Sequence, residues 1–86
     1  MHVTVISPER GVFDGAADAV VAPAFDGQVG ILPGHAPFMT LLGQGVLTVR
    51  VAGRDGGGGD RFEVSGGFLQ VVGDAVRIVA DQVQTS

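Results

Sequence analysis

The sequence contains no cysteine and no lysine, and these two absences exclude several classes of protein. Without cysteine there is no disulfide, no thiolate nucleophile and no cysteine-based metal site. Small extracellular domains usually carry disulfides, so a reducing compartment such as the cytoplasm is favoured. Without lysine there is no Schiff-base chemistry, and no side chain that could carry biotin or a lipoyl group.

Long apolar runs, basic clusters and a leader pattern are also missing. No apolar stretch approaches the roughly 18–20 residues that span a bilayer, and Met1–Val5 lacks the basic start of a signal peptide. The net charge is −4 and the five arginines are scattered, whereas binding to nucleic acid needs clustered cations. We therefore expect no membrane insertion and no nucleic-acid partner.

Glycine and short valine-rich segments are abundant. Fifteen glycines and four prolines divide the 86 residues into pieces that suit strands better than helices. Alternating apolar and polar residues are typical of strands around Val3–Val5, Val46–Val51 and Phe62–Val64. The sequence predicts a single all-β domain over residues 1–86, a flattened β-sandwich or barrel of about ten short strands.

Turn residues indicate where these strands are connected. Asp26-Gly27 and Gly73-Asp74 each separate two strand-like runs, as in tight hairpins, and Leu32–His35 has Pro and Gly at the centre of a type II turn. Residues 54–60 predict an exposed hairpin loop. The run over 74–86 fits both helical and strand periodicity, and its β-branched residues favour a strand.

Three segments are apolar on both faces: Ala19–Ala22, Val29–Leu32 and Leu69–Val72. Such strands are covered on both sides, either within the domain or by a partner. Further apolar side chains flank the loop between Pro33 and Pro37, more than a domain of this size can bury. We expect about half of them to belong to the core and the rest to mark a protein interface.

No residue pattern is typical of a catalytic, metal or cofactor site, and we expect none of these. The two histidines could bind zinc only with help from carboxylates, and no patterned serine nucleophile accompanies His35. Gly56–Gly59 lacks the Lys-Ser/Thr of a phosphate loop, and Asp55 and Asp60 lack the spacing of a calcium loop. Two alternatives stay open: a ligand-binding sandwich, which needs a deep apolar cavity, and a minimal hydrolase whose turnover is lost in His35→Ala.

A set of segments, in order along nearly the whole chain, carries a family resemblance. They are Val5–Arg10 with Phe13 and Gly15, Val20 with Pro23, Gly27–Pro37, Gly45–Leu47, Ser65–Val71 and Val79–Asp81. Together they resemble the sheet domain of the epsilon subunit of F-type ATP synthases, and Gly27–Pro37 is the most specific of them.

The resemblance implies a non-catalytic central-stalk (rotor) subunit, peripheral to the cytoplasmic face of the bacterial cell membrane. Such a subunit docks the gamma subunit to the c-ring and couples ion translocation to ATP synthesis. The residues that would face the c-ring, carried over by position, are Gln28, Val29, Gly30, Gly34, His35, Ala36, Pro37 and Phe38. Many family members have an acid in place of Gln28, so an ionic contact is not implied there. The residues that contact gamma are not indicated.

Members of that family usually continue beyond the position of Ser86 into a two-helix hairpin, which can inhibit ATP hydrolysis and sometimes binds ATP. The present sequence ends before that point. From the residues at hand we expect no helical C-terminal domain, no inhibitory residues and no bound nucleotide.

Overall fold

A computed structural model of the chain describes residues 1–51 and 59–85, and all regular structure in them is strand. The eight strands are β1 (His2–Ile6), β2 (Gly11–Ala16), β3 (Ala19–Ala24), β4 (Gly27–Ile31), β5 (Phe38–Leu41), β6 (Gln44–Arg50), β7 (Asp60–Val72) and β8 (Ala75–Thr85). These residues contain no helix, and hence none long enough to cross a bilayer. The all-β prediction is confirmed, as is the strand predicted for the C-terminal run.

The strands form a hydrogen-bonded sheet in the order β2-β1-β8-β7-β6-β3-β4, with β5 pairing with β7 beside this path. The pairs are antiparallel except for β1 and β8, which run parallel. β7 pairs with β6 through its first half and with β5 through its second half, so it belongs to both layers. The path has two free ends, β2 and β4, so the structure is an open flattened sandwich and not a closed barrel.

The core-facing side of β7 changes at Gly66-Gly67. Phe62 and Val64 are buried before the pair, and Leu69 and Val71 are buried after it. Both glycines have positive φ, +73° and +108°, which lets the strand bend without ending. The described residues consequently form eight strands, two of them long, where the sequence predicts about ten short ones.

The core consists of side chains that the two layers turn toward each other. Valine contributes the largest share, because β-branched side chains pack well on a pleated surface. In β1, β6, β7 and β8 the buried residues alternate with half-buried or exposed neighbours, as the sequence predicts. The buried hydrophobic residues are Val3, Val5, Ala17, Val20, Ala22, Ile31, Leu42, Leu47, Val49, Phe62, Val64, Leu69, Val71, Val76, Ile78 and Ala80.

The predicted turns are present, with one shift of register. Gly73-Asp74 separates the paired residues at the ends of β7 and β8, as predicted. The hairpin predicted at Asp26-Gly27 has Phe25-Asp26 as its two loop residues, and Gly27 is already the first residue of β4. The predicted loop over 54–60 lies outside the described residues up to position 58, as does Asp55 of the weighed calcium site.

The three segments predicted to be apolar on both faces are each buried on one face only. Val20, Ile31 and Leu69 are fully buried or nearly so. Their neighbours on the opposite face stay exposed, with relative exposures of 39% for Val21, 63% for Leu32 and 57% for Val72. Within the chain itself these segments therefore have one uncovered face.

Candidate functional site

A rigid corner, Leu32–Phe38, connects β4 to β5. The amide of His35 donates to the carbonyl of Leu32 at 3.1 Å, and Gly34 has φ +86°, so the predicted type II turn is confirmed. Pro33 fixes φ at the first central position of this turn. Pro33 and this hydrogen bond thus restrict the backbone conformation of the corner.

Two side chains of the corner pack against each other. The rings of His35 and Phe38 meet edge to face, with centroids 5.6 Å apart, and Phe38 also packs against the core. Nδ1 of His35 lies 2.7 Å from the carbonyl oxygen of Ala36, and because a carbonyl only accepts, Nδ1 carries the proton. His35 is therefore a half-buried residue that closes the turn, with Nε2 as its remaining polar atom.

The other residues predicted to face the c-ring lie on β4, an edge strand that pairs only with β3. Gln28 and Gly30 are exposed, whereas Val29 is half-buried and packs against the core. The structure thus places the eight predicted residues in one continuous segment, an exposed strand edge followed by the corner. The prediction that His35 and its neighbours contact a c-ring is not tested by this placement.

An apolar surface follows directly after the corner, and we call it the outer band: Phe25, Met39, Leu41, Phe68 and Val79. Phe25 joins it because its amide donates to the carbonyl of Leu41 at 3.1 Å. Leu41, Phe68 and Val79 are opposite one another on three neighbouring strands, on the side away from the buried residues. Phe25, Met39 and Leu41 have relative exposures of 67%, 61% and 62%.

The outer band shows how the apolar excess around the corner is divided. Ile31 and Leu42 are buried and belong to the core, while Leu32, Met39 and Leu41 are exposed. An exposed, contiguous apolar surface on a small domain usually marks a protein contact. Sequence reasoning identified the excess but missed Phe25 and Phe68, since only the strand pairing brings them beside Leu41.

A second concave surface is polar. An open groove of ≈ 600 Å³ lies between the Ser7–Arg10 turn and the outward face of β6, β7 and β8. Its lining includes Glu63, Ser65, Asp81 and Gln82, which are half-buried or exposed. No group of three or more metal-ligating side chains occurs within residues 1–51 and 59–85.

One pair of ionisable side chains was not anticipated from the sequence. Nε2 of His2 contacts a carboxylate oxygen of Asp14 across β1 and β2, and both side chains are exposed. The pairing could not be predicted because twelve residues separate the two positions. Because both side chains are exposed and solvent screens the pair, it contributes little to stability.

The fold and these surfaces define a small all-β sandwich domain, with a proline-containing corner and an apolar outer band as its outward features. A sequence profile described as ATP synthase, Delta/Epsilon chain, beta-sandwich domain matches residues 1–86. The chain belongs to this family.

Curated relatives share about two residues in five with the chain. It is 41% identical over 84 residues to the ATP synthase epsilon chain of Parasynechococcus marenigrum, covering 98% of the chain and 59% of that relative. It is 40% identical over 81 residues to the epsilon chain of Caulobacter vibrioides, covering 94% of the chain and 90% of that relative. The chain thus spans little more than half of the first relative and most of the second.

Solved structures share the fold. A chain in the Tetrahymena thermophila mitochondrial ATP synthase central stalk/c-ring structure superposes with a TM-score of 0.80 at 19% identity, covering 98% of this chain and 65% of that one. A chain of the Euglena gracilis mitochondrial ATP synthase structure of OSCP, F1 and c-ring superposes with a TM-score of 0.84 at 25% identity, covering 96% and 51%.

Proposed function

We propose that the chain is a non-catalytic subunit of the central stalk of an F1Fo ATP synthase, which docks gamma to the c-ring and so couples ion translocation to ATP synthesis. In this proposal it is a peripheral protein at the cytoplasmic face of a bacterial membrane. Its family and the central-stalk neighbour among solved structures support the assignment. The observation that carries it is the exposed outer band beside the rigid corner.

The contact with the c-ring is proposed for the segment that starts at the edge of β4 and ends in the corner. Its residues are Gln28, Val29, Gly30, Gly34, His35, Ala36, Pro37 and Phe38. A turn already fixed by Pro33 and an internal hydrogen bond loses little conformational entropy on docking. Gln28 is uncharged, so the contact at that position would be a hydrogen bond and not an ion pair.

The contact with gamma is proposed for the outer band. Its apolar side chains are already presented on strands, and covering them would remove exposed Phe25, Met39 and Leu41 from water. A few well-packed side chains near the centre of an interface usually contribute most of its binding energy. The band follows the corner directly along the chain, so the two proposed contacts are neighbours in sequence.

The test is assembly of the chain with its cognate gamma subunit and c-ring. Met39→Asp and Leu41→Asp are better probes than a change at Phe38, which packs against the core. Each introduces a charge at an exposed apolar position, so we expect binding to gamma to weaken at least about tenfold. Isothermal titration or co-purification would measure the change.

Val21→Asp is the matched control, because Val21 is 39% exposed and lies on β3 opposite Gly30 and Thr48, with no neighbour in the outer band. It should bind gamma as the unchanged chain does. Equal losses in all three variants, or a folded chain that does not associate with gamma and c-ring at micromolar concentration, would contradict the proposal.

A further inference from the structure

Three strands of the sheet have a free edge, β2, β4 and β5, and these edges are protected to different degrees. The end of β5 is covered, because the amide of Phe25 donates to the carbonyl of Leu41 and Ala24 forms a bridge with Leu42. An exposed edge invites pairing with another strand, and proteins usually protect it with a charge or a bulge. β2 has both, a register shift opposite Val5/Ile6 and the carboxylate of Asp14. β4 consists of Gly-Gln-Val-Gly-Ile, with no charge, and its pairing with β3 is regular.

The register of the β3–β4 hairpin determines which backbone groups of β4 face outward. Ala24 and Gly27 flank a two-residue loop, so they form a hydrogen-bonded pair. Alternation then makes Pro23 opposite Gln28 a non-hydrogen-bonded pair, which suits a residue without an N–H. The N–H and C=O groups of Gln28 and Gly30 therefore point away from β3.

This outward edge is accessible. Gln28 and Gly30 are both exposed, and a Cβ placed on Gly30 would have no other atom within 4 Å. An added antiparallel strand needs two residues with outward backbone groups that are separated by one residue, and Gln28 and Gly30 provide them on either side of Val29.

We propose that the free chain forms a two-fold dimer in which β4 of one copy pairs antiparallel with β4 of a second copy. Gln28 of each copy pairs with Gly30 of the other, which gives four main-chain hydrogen bonds. Val29 then lies opposite Val29 of the second copy in the central non-hydrogen-bonded pair, where side chains approach most closely. Each copy uses the same edge, which is then fully paired, so the assembly stops at two chains.

A second copy fits this edge because the arrangement is self-complementary. The strand carries no charge, so no like charges meet across the two-fold axis. Registers shifted to either side would pair Asp26 or Leu32, which lie outside β4. In the proposed register Leu32 of one copy lies beside the Phe25-Asp26 loop of the other, and Phe25 and Leu32 are apolar and more than 60% exposed.

The dimer goes beyond the proposed function and does not depend on it. It uses the edge assigned above to the c-ring, so the two occupants exclude each other and the dimer is a state of the unassembled chain. The test of the dimer needs only the chain itself. A chain that fails to dimerise would leave the stalk assignment unaffected.

The experiment is sedimentation equilibrium of the 86-residue chain from low micromolar to submillimolar concentration. We expect the mass to rise from that of one 8.7 kDa chain to that of two. Gly30→Pro removes an outward N–H and should abolish the dimer, whereas Gly30→Ala keeps this N–H and should dimerise. Circular dichroism checks that both variants fold, and Gln28→Pro is a second variant of the same kind.

Hydrogen exchange on the unchanged chain tests the proposal without any substitution. The amides of Gln28 and Gly30 should become protected as concentration rises, while those of Val29 and Ile31 are protected already by β3. The proposal would be overturned by a chain that stays monomeric at all concentrations or by a folded proline variant that still dimerises. It would also be overturned by a dimer in which the amide of Gln28 or of Gly30 stays unprotected.

Discussion

Gly67 is the glycine at which an added Cβ would make the closest contact among the described residues. Its φ is +108°, and a Cβ there would collide with the carbonyl oxygen of Val79 on β8. Gly66 is restricted as well, because its φ of +73° is a backbone conformation that residues with a Cβ rarely adopt. The two glycines let β7 and β8 stay paired while the chain passes from one layer to the other.

Gly67→Ala should therefore lower the free energy of unfolding by roughly 2–4 kcal/mol, since it combines backbone strain with a clash. Urea unfolding followed by circular dichroism measures the loss. Gly11→Ala is the control, because no atom lies within 4 Å of its Cβ, and it should change stability by less than about 0.5 kcal/mol. A stable Gly67→Ala variant would mean that the backbone relaxes easily at this position.

Two valines on β6 allow burial to be tested with identical chemistry. Val49 is fully buried, whereas Val46 is 41% exposed on the opposite face. Val49→Ala should cost about 2 kcal/mol, because it removes buried methyl groups and leaves a cavity. Val46→Ala should cost less than about 0.5 kcal/mol. Thermal or urea unfolding of the two variants would show whether buried positions of β6 contribute more to the free energy of unfolding than exposed ones.

Among the elements, β7 and β8 are held most completely. β7 pairs with β6 and then β5 on one side and with β8 on the other, and β8 also pairs with β1 through its first half. β2, β4 and β5 each have one regular strand partner only. Local openings should therefore begin at these edges and involve β7 and β8 last.

Hydrogen exchange monitored by NMR should show this order. We expect the amides of Val76, Ile78 and Ala80 to exchange slowest, at rates that reflect global unfolding, and those of β2 to exchange faster. The measurement belongs at low concentration, where edge pairing between copies is absent. Equal protection in β2 and β8 would mean that the sheet opens only as a whole.

Six of the eight strands could be predicted because each carries a local signal, whereas the sequence pattern does not single out β2 and β5. Val3 and Val5, or Phe62 and Val64, alternate with polar residues, and their burial follows from that pattern alone. The type II turn at Pro33-Gly34 is equally local. Such features need only a few neighbouring residues to be specified.

Other features depend on residues far apart in the chain. The parallel pairing of β1 with β8 places His2 opposite Ala75, and no local sequence pattern predicts this pairing. The one-residue shift of the Phe25-Asp26 loop follows from the pairing of β4 with β3. The same pairings determine which apolar residues near the corner are exposed. The sequence therefore predicts an apolar surface, but not the residues that form the outer band.

For the whole molecule, the sequence separation between paired strands determines the folding rate. β1 and β8 are adjacent in the sheet but nearly the full chain apart in sequence, and β3 pairs with β6 across β4 and β5. Sheets dominated by such non-local pairs fold slowly, because loop closure must precede the contacts that repay it.

Refolding from urea should accordingly take milliseconds to seconds and not microseconds. Stopped-flow circular dichroism at several final urea concentrations measures the rate, which should follow a single exponential for a domain of this size. Microsecond refolding would indicate that local hairpins, and not the β1–β8 pairing, limit the rate.

The position of β8 also affects how the protein is made in the cell. This strand is synthesised last among the eight, yet it separates β1 from β7 in the finished sheet. A nascent chain therefore cannot complete its structure until Ala75–Thr85 has left the ribosome. Until then β1 and the long β7 each lack a neighbour, and chaperones that shield unpaired strands would have their main opportunity during that interval.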